Sequence, residues 1–515
     1  MRVDTRHDGL WSWSQGCWRS GPSWVAPYDH PALETHCWRD TTRVAFQVRE
    51  RLPGQTLGTA ATFPRPVGTS TYEATREAAQ QHEAAHHIIE IARGSVTVTA
   101  GGRVTAPVYL TVEDGVLHAH WDFTEVASQR TSHALDRVET ARLLHLAGIY
   151  STRTLYRDVH LLTERRTARF HDQTLTFTEP GNNEHPLPRE LADGADVVAA
   201  YVDLLDGILG DHFHQPESTA VELSGGMDSA NVALSLYHRH GAGLRAGALV
   251  HEGEAGEQQL RRRSAIKRHC GIRDDLTIRA ADHSPLDRRW WNEERPGPHE
   301  ELYIAGHSRL LAGWREEGVR WAATGVGGDE MLSLVPTTVG DGEHQRGTPL
   351  PGWFTPRTRE SLRDRSYGVP SVPPISDSTL RAVTCGAPMY LRAGVWPLYP
   401  LADPAAFLFG QWLPATWRRD KRLARTRVRT ANPSFPREVS HPRLRENFHP
   451  VWEASVRRFA PQLTRSLIRE GSPLIDEGYV DADALAAAAD RIEDGTARSE
   501  DGAIGHTLRL HRALT

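Results

Sequence analysis

The chain has 515 residues and a formal net charge of −5, so it is longer than one ordinary core and calls for two domains. Charges of both signs are interspersed, which gives no reason to expect nucleic acid as a partner. The chain also lacks an 18-residue apolar run and a signal-peptide core, so neither a membrane partner nor export is expected. Four widely spaced cysteines, Cys17, Cys37, Cys270 and Cys385, form no CxxC; this argues against a disulfide framework or structural zinc and fits a reducing cytoplasm.

Residues 1–180 are expected to be β-rich with one helix. Thr71 to Ile91 is Ala-, Glu- and Gln-rich and predicts that helix. Ser95 to Thr99, Val108 to Thr111 and Val116 to Trp121 alternate as strands, with Gly101-Gly102 and Asp114-Gly115 as hairpin turns. His82-Glu83-Ala84-Ala85-His86 within the expected helix is an HExxH, the pattern of a zinc metalloprotease. Ile89 stands where the longer zinc motif needs glycine, and the expectation is a polar helix surface. Pro180 to Asn183 and Pro186 to Pro188 punctuate the chain as a linker.

From residue 190 to 515 strands alternate with helices, which predicts a parallel sheet with crossover helices on both faces. Thr219 to Leu223 is strand-like and runs into Ser224-Gly225-Gly226-Met227-Asp228-Ser229. A helical run follows, with Val232, Ala233, Leu236 and Tyr237 on one face. A strand, a Ser/Gly turn and a helix make an anion site: backbone N–H groups converge and the helix N-terminus adds partial positive charge. Ser224 and Ser229 add hydroxyls, and Asp228 can hold a divalent cation against phosphates. No GxxxxGK[ST] occurs, so this is not a Walker loop.

Val319 to Ala323 is a second apolar strand opening into a glycine turn, Thr324-Gly325-Val326-Gly327-Gly328-Asp329-Glu330. Loops at the carboxyl ends of parallel strands line the ligand crevice, so Asp228 and Asp329 are expected to share one Mg²⁺. Trp290-Trp291 is either packing or the wall of a peptide or acyl pocket. Leu334 to Pro374, rich in Pro, Gly, Thr and Ser, is a flap over a site or a surface excursion. The last 60 or so residues are helical, most clearly from Ala484 to Ala489. Of 60 basic residues only Lys267 and Lys421 are lysine, which singles them out as compact cations among guanidinium groups.

SGGMDS followed about 100 residues later by TGVGGDE resembles the synthetase domain of asparagine synthetases and their relatives, the β-lactam synthetases and lasso-peptide cyclases. Glu257, Pro400 to Pro404, Trp417 to Arg425 and the stretch from Gly148 to Leu162 add to the resemblance, which covers roughly Leu146 to His449. It implies a PP-loop ATP pyrophosphatase domain at 190–515, preceded at 1–180 by a degenerate glutaminase-like, Ntn-type domain. It also implies ATP and Mg²⁺, adenylation of a substrate carboxylate with release of pyrophosphate, and capture by an amine. Ser224, Gly225, Gly226 and Ser229, with Gly325 and Gly327, would then hold the nucleotide, and Asp228 and Asp329 the metal. Lys421 and Arg443 would serve catalysis as cations.

Three departures sharpen this. Arg2 follows Met1 where glutamine-using members have a cysteine, and Cys17 lacks that nucleophile's usual Gly-Ile, so no glutamine hydrolysis is expected. Val326 replaces an acid/base side chain. Arg443 in His441-Pro442-Arg443 replaces a lysine. The resulting expectation is a cytoplasmic, AMP-forming amide synthetase acting on a small molecule or peptide with a carboxylate and an amine. Lasso-type macrocyclisation, with a peptide-processing partner protein, comes first. β-Lactam-type ring closure and a nucleotide-binding pseudoenzyme are the alternatives.

Overall fold

The computed structural model describes residues 1–7, 9–54, 63–103, 105–212, 214–301, 304–334, 349–364, 372–441 and 448–515. Among these, the first 180 residues form two packed sheets of seven strands each. The first is antiparallel and carries the hairpin Tyr109–Glu113 to Val116–His120. The second is mixed and centres on Arg43–Glu50, His86–Ala92 and Ser95–Ala100. Trp18, Leu110 and Leu117 from one sheet meet Phe46, Ile89, Val98 and Phe170 from the other in a shared core, as alternating inward side chains dictate.

Three expectations for this half need correction. The helix runs from Thr69 to Gln80 and stops. His86–Ala92 is instead a central strand, paired with Arg43–Glu50 and Ser95–Ala100. Ile88, Ile89 and Ile91 favour a pleated surface over a helix, and tertiary pairing decides the contest. Two further short helices, Phe123–Ala127 and Arg137–Leu144, make three rather than one among the described residues. Asp114 and Gly115 do form a two-residue turn with positive φ (51° and 75°), but Gly101-Gly102 closes no hairpin: the strands on either side of it belong to different sheets.

The chain from 179 to 192 has no regular structure and is fastened along the second half, through Asn183 N–H to Val372 O (2.9 Å) and Arg189 N–H to Trp412 O (2.8 Å). The second half is built on five parallel strands, β1 (Thr219–Glu222), β2 (Arg245–Val250), β3 (Asp275–Arg279), β4 (Trp321–Ala323) and β5 (Trp396–Leu398), in the order β3-β2-β1-β4-β5. Val221, Trp321 and Ala323 enter one buried cluster while Ala220 and Ala322 enter another, so the sheet is covered on both faces. The helices that matter below are α1 (Met227–His240), α2 (Gly253–Cys270), α3 (Ile304–Glu316), α4 (Asp377–Arg392), α5 (Arg422–Ala431), α6 (His449–Glu470) and α7 (Ile504–Leu514).

The stretch from Leu334 to Pro374 contains a helix, Pro356–Arg363, and a fully buried Trp353; residues 335–348 and 365–371 of it lie outside the described residues. Among the described residues no helix is long and apolar enough to cross a membrane.

Candidate active site

The strand order reverses direction between β1 and β4. In an open parallel sheet, ligands bind in the crevice outside the carboxyl ends of the strands at such a switch point. Both glycine loops leave the sheet there. After β1, Leu223 still pairs with Gly247 O (2.9 Å), and the chain then turns through Ser224 and Gly225 into α1. Fully buried Gln259 of α2 pins this turn. Its amide donates to Ser224 O (3.2 Å) and Leu249 O (3.4 Å) and accepts from His251 N–H (2.8 Å). Ser224 Oγ and Ser229 Oγ lie 3.2 Å apart, and Gly226 N–H donates to Ser224 Oγ (3.2 Å). Two hydroxyls and the N-terminus of a 14-residue helix thus converge, the arrangement that holds an anion.

The second loop packs directly on the first. A Cβ at Gly325 would stand 2.8 Å from Ser229 N, so only glycine admits this approach. Gly327 takes φ +95° and abuts Leu401, bringing the Pro400–Ala402 turn against the loop. Asp403 ends that turn, caps the helix Pro404–Trp412 through Ala405 N–H (2.8 Å) and pairs with Arg103 at 2.9 Å.

Lys421 ends a short 3-10 turn, Arg419–Lys421, and stands at the N-cap of α5. Asp420 and Lys421 both have φ +52°, a left-handed conformation that costs a residue other than glycine roughly 1–2 kcal/mol. The strained turn carries the ammonium between the two loops: Lys421 Nζ lies 2.5 Å from Asp228 Oδ2 and 2.6 Å from Asp329 Oδ1. Strain of this kind persists only where surrounding structure enforces it, and it concentrates at functional sites.

Ser224, Gly226, Asp228, Ser229, Gly325, Val326, Asp329 and Lys421 all line one cavity of about 780 Å³. Gly225 and Gly327 shape the two turns behind it. Arg443 lies outside the described residues. Val326 packs with Val383, Tyr399 and Ala402. Glu257 is exposed on α2, 3.6 Å from Arg261, and Lys267 pairs with Asp275 (2.5 Å); neither lines the cavity.

Sequence reasoning missed the opposite wall. Tyr390 of α4 donates its hydroxyl to Glu222 Oε1 (2.5 Å), and Glu301, His307 and Tyr399 complete that side. Glu222 carried a signal, a carboxylate in an otherwise apolar strand. Tyr390 carried none, because its contact spans 168 residues of sequence.

The HExxH straddles a turn and a strand. His82 and His86 have ring centroids 5.7 Å apart, burial lowers the pKa of both, and no cluster of three metal-ligating side chains occurs among the described residues. Cys17 is buried, with its Sγ 3.5 Å from Ser14 O.

Burial pushes the Asp228 carboxyl up to about 6, against the pull of the Lys421 ammonium and with help from the Asp329 charge. A protonated Asp228 cannot hold a cation. Cation binding at Asp228 is therefore expected to weaken as pH drops through about 6, and an affinity flat between about pH 5 and 8 would contradict the assignment. The stability term has the opposite sense. It is fully present below about pH 4, where the unfolded carboxyl also keeps its proton, and is lost as pH rises through about 6.

No protein-family model matches the chain, and no curated protein matches it. The geometry therefore carries the functional argument.

Proposed function

We propose that the protein is an ATP-dependent, AMP-forming amide synthetase of the asparagine-synthetase-like kind. Residues 190–515 form its PP-loop ATP pyrophosphatase domain, and residues 1–180 a degenerate Ntn-like domain that hydrolyses no glutamine. The observation that carries the reading is the meeting of two glycine loops at the switch point, with Lys421 held between Asp228 and Asp329.

The donor set fits Mg²⁺, which is commonly held by one or two carboxylates and completes its shell with water and phosphate oxygens. Asp228 and Asp329 would hold it, and the bound ion would screen charge on the triphosphate. Ser224, Gly225, Gly226 and Ser229 bind the pyrophosphate end of ATP. A substrate carboxylate oxygen attacks the α-phosphorus and the bond to pyrophosphate breaks. With Asp228 and Asp329 engaged by a cation, Lys421 would be left to face the negative charge of the phosphates, an electrostatic role. The amine attacks the acyl carbon, AMP leaves, and the amine proton passes to a cavity acceptor. Val326 offers none; Glu222, Glu301 and His307 stand in the cavity wall. A peptide that closes on itself is the preferred substrate, and small-molecule ring closure comes second.

The test supplies ATP, Mg²⁺, hydroxylamine as surrogate amine, and a panel of carboxylic acids and acidic peptides. AMP and hydroxamate should appear together with one class of acid and vanish in Asp228→Ala. ATP binding without AMP formation across the panel would favour a pseudoenzyme instead.

A further inference from the structure

Away from the nucleotide loops, a second cavity of about 330 Å³ opens between the Leu286–Trp291 stretch and helices α6 and α7. Three arginines reach it: Arg288, Arg509 and Arg512. Arg288 donates to Ser466 Oγ (3.2 Å) and Arg512 to Asn292 Oδ1, both neutral acceptors. Arg509, nine-tenths buried, donates through Nη2 to the carbonyl oxygens of Glu300 (2.7 Å) and Glu301 (3.3 Å). Among the described residues its Nε and Nη1 make no hydrogen bond. None of the three makes an ion pair among the described residues. The nearby Glu300 carboxylate is taken up by Arg392 instead (2.9 Å).

A guanidinium withdrawn from water without a counter-ion is costly. Burial accordingly lowers the Arg509 pKa to about 10, even with Glu300 and Glu301 opposing the fall. Such a group belongs with an anion, and the planar fork of arginine matches a carboxylate through two parallel hydrogen bonds. The remaining walls say what accompanies that anion. Leu286, Trp291, Leu463, Leu467 and Leu508 are apolar, and Glu470 contributes one acceptor for an N–H. Glu470 also disfavours a multiply charged phosphate, leaving a single carboxylate with an apolar neighbour and an amide. Trp291 and Arg509 further form part of a third, smaller cavity of about 160 Å³, whose wall residue Glu301 also lines the nucleotide cavity.

We propose that the arginine cavity binds the carboxylate of an apolar peptide segment, with Arg509, Arg288 and Arg512 as its anion clamp. Under the synthetase reading this anchors a peptide substrate away from the carboxylate that reacts, and the row of cavities gives the segment its direction.

The test uses the full chain without ATP and reads binding of N-acetyl-Ala-Leu-Phe calorimetrically. The free acid should bind, while its C-terminal amide should bind at least about tenfold more weakly. Arg288→Gln and Arg512→Gln, both at the exposed rim, should each weaken the acid and spare thermal stability. Asp228→Ala should leave binding intact, so this result stands apart from whether the chain makes AMP. Equal binding of acid and amide, no binding up to about 1 mM, or tighter binding of inorganic phosphate than of the peptide would overturn the proposal.

Discussion

Lys421→Met is expected to cut ATP-dependent AMP formation by about 10²- to 10³-fold, the loss seen when one preorganised charge-stabilising donor is removed from an active site. The ammonium touches both loop carboxylates, at 2.5 and 2.6 Å, and nothing else of its kind lines the cavity among the described residues. Lys421→Arg should restore little of the rate. A planar guanidinium does not fit a gap that a compact ammonium spans, and the left-handed turn that aims the side chain leaves no slack. Folding should survive both changes, because Asp329 is largely exposed and a half-buried Asp228 without its partner simply keeps its proton. Full activity in Lys421→Met, measured as AMP released per enzyme, would remove this residue from the mechanism.

Arg392→Leu should cost about 3–5 kcal/mol of stability, the usual penalty for breaking a buried charge network from one side. Arg392 Nε reaches Asp122 Oδ2 (2.9 Å), and its two Nη atoms grip the Glu300 carboxylate, Nη1 at 2.9 Å. Its own pKa is driven up by these carboxylates despite burial. Deletion leaves Asp122 and Glu300, each nine-tenths buried or more, without the guanidinium that both share. The double variant Arg392→Leu, Glu300→Leu should regain part of the loss by removing one stranded charge. Urea unfolding measures both; a loss under about 1 kcal/mol would mean the network is open to water.

Much of this was legible in the chain because local chemistry and tertiary role coincide there. Alternating β-branched residues gave the strands of the first half. The two Gly-rich loops announced themselves because anion binding demands glycine and hydroxyl residues in fixed order at a strand end. Where the two diverge, the reading failed. The Ala- and Glu-rich segment ran past Gln80 on propensity, whereas Ile88 and Ile89 were claimed by neighbouring strands. The left-handed pair Asp420-Lys421 has no sequence signature of the kind glycine provides. The Glu222–Tyr390 wall was invisible because α4 and β1 meet only through the fold.

Helix α4 serves two neighbourhoods at once. Cys385, Met389 and Tyr390 line the cavity between the two glycine loops, while Leu391 O accepts the Tyr28 hydroxyl (2.6 Å) and Arg392 holds Asp122, both partners belonging to the first half. The same buried cluster takes Tyr109, Phe123, Leu143 and Leu161 from the first half together with Val221, Trp321 and Phe407 from the second. The first 180 residues are therefore not a cap that can be trimmed off to leave the second half intact. They are masonry behind the cavity wall that α4 forms.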